Sequence, residues 1–243
     1  MGPMTSALDR TPLVLLPGFL CDGTVWEHQI AALSGIAECK VIEWGTLGSI
    51  EAMAEQVLRV APERFALAGH SMGGRVAFQV YRMAPQRVER IALLNTGADA
   101  RPEGEAGVEE ERRRRALLAK ARSQGMRAMT MDWLAGMIPP YRMTDGPLVD
   151  EIVGMFAAKS PDLFEIQMKA LLARPNANPV LGQIRCPALV LTGEDDGWST
   201  PARHREMAAT IAGAKLVLIP KCGHMSTMER PAEVAEAMRA WLA

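Results

Sequence analysis

Six short apolar runs alternate along the chain with stretches of helical periodicity. Such a run is typical of a strand buried on both faces of a parallel sheet, and the stretch between two runs is typical of a crossover helix. The alternation predicts an α/β fold with a doubly wound, mostly parallel sheet. The predicted strands are residues 13–16, 40–44, 65–68, 90–95, 188–192 and 215–219. The predicted helices are residues 26–33, 50–60, 72–83, 201–211 and 231–241.

The alternation stops between residues 99 and 178, where helical periodicity continues without a predicted strand. The turn-forming sequence RPEGEAG opens this segment and RPNANP closes it. An all-helical segment inserted between two strands of a sheet is expected to form a cap. We therefore predict a core domain of residues 1–98 and 179–243 and a helical cap, or lid, of residues 99–178.

The first helix of this segment carries a dense run of opposite charges. Three glutamates at 109–111 precede three arginines at 113–115 by four residues, the favourable order for i,i+4 ion pairs. Four consecutive arginines also occur in nucleic-acid-binding patches, but here the flanking acids cancel their field. We interpret the run as a solvated helix face.

The overall charge excludes several classes of partner. With 27 basic and 28 acidic side chains the net charge is -1, so we expect neither nucleic acid nor an anionic membrane as a partner, and no steering toward a strongly charged substrate.

No apolar run approaches the roughly 18 residues of a membrane span, and MGPMTSALDR lacks the apolar region of a secretion signal. The four cysteines form no C-x-x-C pair and read as reduced thiols. We expect a cytoplasmic protein and leave its oligomeric state open.

The third predicted strand runs into the sequence Gly69-His70-Ser71-Met72-Gly73, which matches G-x-S-x-G between a strand and a helix. The glycines have a mechanical role, because a side chain two residues before or after the serine would clash in so tight a turn. The strained backbone lifts the serine hydroxyl clear of the sheet. The bare pattern is common, and its position between strand and helix makes Ser71 a candidate nucleophile.

A serine hydroxyl needs a general base and a group that orients the base. The fifth strand is followed by the acidic turn LTGEDDGWSTP, and the sixth by IPKCGHMSTME, which contains His224. Serine, then aspartate, then histidine is the chain order of the α/β-hydrolase triad. His224 is therefore the candidate base. We expect His28 and His204 on helix surfaces and His70 as a spacer in the turn.

The chain resembles the capped esterases, lactonases and carbon-carbon hydrolases of the α/β-hydrolase fold over nearly its whole length. The resemblance rests on GHSMGG, the GEDD turn and the ending CGHMSTMERP. In these enzymes the acid lies three residues after the glycine of a G-x-x-D turn, which from Gly193 selects Asp196. Asp195 is the second choice and Asp99 the third.

Two backbone N–H groups would form the oxyanion hole. The geometry of the turn assigns one to Met72, the residue after the nucleophile. The resemblance implies that the other comes from the loop after the first strand, which reads LPGFLCDG. Similar enzymes have His-Gly where this chain has Pro17-Gly18, so the donor is Phe19, with Leu20 as the second choice.

These features predict a serine hydrolase that cleaves a small, largely apolar carboxylic ester through an acyl-enzyme, without a metal or an organic cofactor. A lactonase of the enol-lactone type and a carbon-carbon bond hydrolase are alternatives on the same triad, and a non-catalytic small-molecule receptor is a third. Seven of the 16 methionines lie in the predicted cap, which favours an adaptable apolar pocket. The predicted substrate-binding residues are Trp133, Met137, Ile138, Met155, Phe156 and Trp198.

Overall fold

The computed structural model describes residues 10–243. Residues 1–9 lie outside the described residues. They make up most of the N-terminal sequence MGPMTSALDR, in which no apolar region of a secretion signal is predicted. Six strands form one sheet in the order β2-β1-β3-β4-β5-β6, and every neighbouring pair is parallel. The predicted α/β fold is therefore confirmed. The strands are β1 (Thr11–Leu16), β2 (Ala37–Val41), β3 (Phe65–His70), β4 (Val88–Leu94), β5 (Ala188–Gly193) and β6 (Lys215–Ile219).

Helices flank the sheet, with α1 packed against α11 and α2 packed against α3. Within residues 10–243, three short 3-10 turns supplement them at Gly23–Trp26, Pro85–Arg87 and Pro140–Arg142. The helices are α1 (Glu27–Leu33), α2 (Ile50–Val60), α3 (Met72–Met83), α4 (Gly104–Gln124), α5 (Met126–Met137), α6 (Gly146–Ala157), α7 (Pro161–Leu172), α8 (Asn178–Leu181), α9 (Pro201–Thr210), α10 (Ser226–Glu229) and α11 (Pro231–Leu242).

The second strand is Ala37–Val41, so the prediction of residues 40–44 was wrong by three residues. This strand lies at the edge of the sheet and alternates buried or half-buried side chains with exposed ones, so it has no continuous apolar run. Ile42 and Trp44 follow the strand and are buried, and the indole Nε1 of Trp44 donates to the carbonyl oxygen of Pro17 at 3.0 Å. The apolar pattern thus located buried side chains that lie beyond the strand.

Only helices and turns occur between β4 and β5, and we call α4–α7 the inserted helices. Helix α4 packs against α5 and α7, and α5 packs against α6. The predicted i,i+4 ion pairs are present in α4, including Arg113 with Glu109 at 2.7 Å and Arg115 with Glu111 at 2.6 Å. The boundaries of a cap at residues 99 and 178 stay a prediction.

All four cysteines carry free thiols. Within the described part of the chain, no helix has both the length and the apolar composition needed to cross a membrane.

Candidate active site

Ser71 lies in the sharp turn between β3 and α3, with φ 53° and ψ -114°. A residue with a side chain rarely adopts a positive φ, so the backbone here is strained. A Cβ atom built on Gly69 would lie 2.4 Å from the carbonyl oxygen of Gly73, and one built on Gly73 would lie 2.1 Å from that of Leu16. Both positions therefore require glycine, as the motif predicts.

The carboxyl ends of three strands bring together residues that are far apart in the sequence. His224 Nε2 lies 2.9 Å from Ser71 Oγ. His224 Nδ1 lies 2.9 Å from one carboxylate oxygen of Asp196 and 3.1 Å from the other. A continuous hydrogen-bonded chain thus links the carboxylate, the imidazole and the hydroxyl.

The two other candidate acids lie elsewhere. Asp195 accepts a hydrogen bond from the hydroxyl of Tyr141. Asp99 accepts one from the side-chain amide of Asn178 at 2.9 Å. Of the three aspartates, only Asp196 has a hydrogen bond to His224.

The surroundings of Asp196 favour its ionised form. Burial by itself raises the pKa of a carboxyl, but the charge of His224 and its hydrogen bond outweigh that effect, together with donors from Ser199 and Asn95. The backbone N–H groups of Trp198 and Ser199 both donate at 2.9 Å, and Asn95 Nδ2 donates at 3.0 Å. The pKa of Asp196 therefore lies well below its ordinary value.

Asn95 is a component of the site that the sequence reasoning missed. It follows β4 with a positive φ of 48°, and its side chain is buried. Its Nδ2 also donates to the carbonyl oxygen of Gly223 at 3.1 Å, and its Oδ1 accepts from the hydroxyl of Ser226. Asn95 thereby ties the turn that carries Asp196 to the loop that carries His224. The only sequence signal was a polar residue at the end of a predicted strand.

Two buried titratable side chains hold the backbone around His224. The Nε2 of His70 lies 2.9 Å from the carbonyl oxygen of His224. Burial, and then the neighbouring His224, lower the pKa of His70 to about 4, so its neutral ring donates this bond. The carboxylate of Glu229 accepts from the N–H of Gly223 at 2.9 Å and from that of Met225 at 3.0 Å, and burial raises the pKa of Glu229.

The loop after β1 lies directly against the serine. A Cβ atom built on Gly18 would be only 3.2 Å from the Cβ of Ser71. The N–H of Leu20 donates to Gln167 Oε1 at 2.8 Å and is therefore occupied. The N–H of Phe19 has no acceptor among residues 10–243. Met72 begins α3, where backbone N–H groups have no intrahelical acceptor. The structure thus leaves the two first-choice donors free.

A cavity of about 960 Å³ opens above Ser71 and His224. Trp133 stacks on Trp198 with ring centroids 5.4 Å apart and meets Phe19 edge-on at 5.5 Å. Phe164, which was not predicted, also lines the cavity. Of the predicted substrate-binding residues, the cavity is lined by Trp133, Met137, Phe156 and Trp198.

The predictions for Ile138 and Met155 were wrong, because neither lines the cavity and both are buried. Successive residues of a helix point about 100° apart, so Met155 and its neighbour Phe156 point in different directions, and only Phe156 lines the cavity. Ile138 follows the last residue of α5 in an extended conformation, so it does not continue the helical face that carries Met137.

We expected His28 and His204 on helix surfaces. This is confirmed for His28, which is exposed, and wrong for His204, which is fully buried. Its Nε2 accepts from the N–H of Thr96 at 3.2 Å, and its Nδ1 lies 3.1 Å from the carbonyl oxygen of Thr200. Helix α9 packs against β5 and β6, and His204 lies on the packed side. Its burial lowers its pKa.

Residues 13–237 match the family model described as the alpha/beta hydrolase family. The chain belongs to the alpha/beta hydrolase family. This confirms the resemblance, and the protein is a hydrolase of the alpha/beta hydrolase type. Within residues 10–243 of this hydrolase, no three His, Cys, Asp or Glu side chains are grouped to hold a metal ion.

Solved structures of two enzymes are similar to this alpha/beta hydrolase. A thermophilic esterase from Thermogutta terrifontis is 27% identical with a TM-score of 0.83, and the match covers 97% of this chain and 90% of that chain. The enol-lactonase from Burkholderia xenovorans LB400 is 26% identical with a TM-score of 0.83, covering 98% of this chain and 93% of that chain.

A curated relative is longer than this alpha/beta hydrolase. The dihydrolipoyllysine-residue acetyltransferase component of the acetoin cleaving system of Pseudomonas putida is 28% identical over 252 residues. The match covers 96% of this chain and 63% of the relative, so the chain spans less than two thirds of that protein's length.

Proposed function

We propose that this hydrolase cleaves carboxylic esters through an acyl-enzyme formed on Ser71. The observation that carries the proposal is the chain of hydrogen bonds from Asp196 through His224 to the hydroxyl of Ser71, which lies on a strained turn. A histidine base that is oriented by a carboxylate can activate a serine hydroxyl in this way. The family and the similar esterase agree with this chemistry.

The reaction has two steps. His224 Nε2 takes the hydroxyl proton while Ser71 Oγ attacks the ester carbonyl, and the protonated imidazole then gives the proton to the departing alcohol. In the second step, His224 takes a proton from water as the water oxygen attacks the acyl-enzyme, and returns it to Ser71 as the acid leaves. Asp196 stays ionised throughout, consistent with its low pKa, and stabilises the imidazolium. These steps use no metal or organic cofactor.

Negative charge develops on the carbonyl oxygen in both steps. The N–H groups of Phe19 and Met72 are the proposed donors to this oxygen, and their lack of other acceptors supports the assignment. Donors of this kind contribute about 3 kcal/mol each to transition-state stabilisation in comparable sites.

The aromatic lining supports a substrate with a small apolar portion near the carbonyl. Opening of a lactone is the second candidate, because a lactone is a cyclic ester that the same triad can attack. The similarity to an enol-lactonase is the observation that favours it.

Labelling with a fluorophosphonate probe tests the nucleophile. The wild-type protein and the control Ser123→Ala, at an exposed serine of α4, are expected to be labelled, whereas Ser71→Ala is not. Equal labelling of Ser71→Ala, or no labelling of any form, would contradict the assignment.

The substrate class requires a separate assay. We expect turnover of p-nitrophenyl esters, measured over a series of acyl chain lengths and compared with panels of lactones and vinylogous 1,5-diketones. Rapid lactone opening without ester turnover would indicate a lactonase in place of an esterase. Cleavage of diketones alone would indicate a carbon-carbon bond hydrolase, and binding without turnover would indicate a receptor.

A further inference from the structure

The cavity above Ser71 is lined by seven arginine and lysine side chains and only two carboxylates. Near the rim, the cations lie against carboxylates. Lys120 pairs with Asp132, Arg112 and Arg113 share Glu109 at 2.6 and 2.7 Å, and Arg203 lies 4.0 Å from Asp99. Exposed ion pairs of this kind are screened by solvent and contribute little.

Deeper in the lining lie three guanidinium groups, two of which bind one carboxylate. Arg174 binds Glu110 through two hydrogen bonds of 2.7 and 2.8 Å, and Arg114 binds the same carboxylate at 3.0 Å. The side chain of Arg174 is only 8% exposed. We call Arg75, Arg114 and Arg174 the arginine cluster. Because Glu110 supplies one negative charge, the cluster keeps an excess of positive charge.

Arg75 is the member of the cluster without a carboxylate partner. Its Nη1 donates to the carbonyl oxygen of Asp99 at 2.7 Å, and its Nη2 has no acceptor within residues 10–243. Burial, and then the charge of Arg174, lower the pKa of Arg75 to about 9, so the guanidinium stays protonated at neutral pH. A partly buried guanidinium with free donors is well suited to bind an anion.

This charge lies close to the proposed nucleophile. Arg75 is one helical turn after Ser71 in α3. The hydroxyl of Thr96 donates to the carbonyl oxygen of Ser71 at 2.7 Å. The next residue is Gly97, and a Cβ atom built on it would lie 3.4 Å from the Nη2 of Arg75. All four residues line the same cavity. A ligand on Ser71 can therefore extend to Arg75.

We propose that this cavity binds esters that carry a second, anionic group, a carboxylate or a phosphate, remote from the scissile carbonyl. Arg75 donates to that group directly, and Arg114 and Arg174 add positive field. A guanidinium suits either anion because its planar donors match their oxygens. The net charge of -1 hides this local excess. The inference rests on the proposed ester hydrolysis and adds the substrate class.

Matched substrates test the inference. Mono-4-nitrophenyl adipate and 4-nitrophenyl hexanoate have equal acyl chain length and differ in a terminal carboxylate, and 4-nitrophenyl 6-phosphonooxyhexanoate carries the phosphate instead. The quantity measured is the ratio of kcat/KM for each anionic ester to kcat/KM for the hexanoate. We expect Arg75→Gln to lower the ratio by about tenfold or more, mainly through KM, for whichever anion the site takes. Arg75→Lys should retain part of it.

Arg64→Gln is the control, because Arg64 is an exposed arginine paired with Glu89 at 2.7 Å. Its ratio should equal that of the wild type. If the wild type and Arg75→Gln both hydrolyse the hexanoate and have equal kcat/KM ratios for each anionic ester, the inference is overturned and the proposed function stands. If the wild type hydrolyses none of the esters, the proposed function itself fails.

A second measurement on the wild type does not depend on the folding of a variant. Adipate should inhibit hydrolysis of 4-nitrophenyl acetate competitively and far more strongly than adipamide, and added salt should weaken the inhibition. Equal inhibition by adipate and adipamide would overturn the inference. Because the assay follows ester hydrolysis directly, the proposed function would stand.

Discussion

The backbone N–H of His224 donates a 2.9 Å hydrogen bond to the carbonyl oxygen of Met137, the last residue of α5. This bond joins the inserted helices to the loop that carries the proposed base. Beside it, a Cβ atom on Gly223 would lie 2.7 Å from Pro139 Cδ and 2.9 Å from the carbonyl oxygen of Met137. The position of His224 therefore depends on how the inserted helices pack on this loop.

Gly223→Ala is expected to lower kcat/KM for a p-nitrophenyl ester by about tenfold to a hundredfold. The added methyl group has to push Pro139 and Met137 away from the loop, and small displacements of a catalytic group have effects of this size. Steady-state kinetics would measure the change. Gly182→Ala is the matched control, because nothing lies within 4 Å of its added Cβ. Equal activities of the two variants would show that the contact does not position His224.

Asp196→Asn is expected to lower kcat by about a thousandfold or more and to leave a measurable residual rate. The amide cannot stabilise the imidazolium, and it favours the wrong tautomer of His224. Asp195→Asn is the control, since Asp195 binds Tyr141 and should change the rate little. A large loss in Asp195→Asn with an active Asp196→Asn would move the acid by one residue.

Gln167→Met is expected to lower kcat by roughly tenfold to a hundredfold. Gln167 Oε1 accepts the N–H of Leu20 at 2.8 Å and so holds the loop that presents the N–H of Phe19. Methionine keeps the volume but removes the acceptor, which loosens one proposed oxyanion donor. Gln167→Glu keeps an acceptor oxygen and should recover part of the rate, and Gln86→Met, at an exposed position, should match the wild type. No loss in Gln167→Met would remove Gln167 from this role.

His70 makes stability depend on pH. Its pKa falls from an ordinary value of 6.5 to about 4 in the folded protein, first because of burial. Between these values the unfolded chain binds more protons than the native state, so the stability contributed by the neutral ring is complete above pH 6.5 and is lost as the pH falls toward 4.

The variant His70→Gln isolates this effect, because its amide can donate to the carbonyl oxygen of His224 and does not titrate. We expect the free energy of unfolding of the wild type to fall by about 3 kcal/mol relative to that of His70→Gln over this pH range. Urea denaturation at a series of pH values would measure the difference. Parallel pH profiles would show that His70 is not held neutral by the fold.

The residues nearest the nucleophile were predictable because their roles depend on local geometry. The glycines around Ser71 are needed by the turn itself. The resemblance to α/β-hydrolase enzymes implied the order of Ser71, Asp196 and His224, and the ends of their parallel strands meet at one edge of the sheet. Asn95 and Glu229 were not predictable in this way. Each acts through partners that the fold brings close, such as Gly223, and a single polar residue at the end of a strand or in a helix has no distinctive pattern.

The cavity lining shows the same limit. Helical periodicity marks Met155 and Phe156 equally as apolar, and only the packing of α6 decides that Phe156 faces the cavity. Likewise the charges of α4 suggest a solvated face, whereas the fold places Arg114 and Glu110 against Arg174 from the far end of the inserted helices.

The sequence by itself determined the parallel α/β sheet, the glycine-bounded turn at Ser71 and the chain order of the candidate triad. These features depend on periodicity and on backbone geometry over a few residues. The tertiary structure decided which aspartate reaches His224, which apolar side chains line the cavity, and how charge is distributed around it. Those outcomes depend on contacts between residues distant in the chain, because burial and hydrogen bonding are properties of the packed molecule.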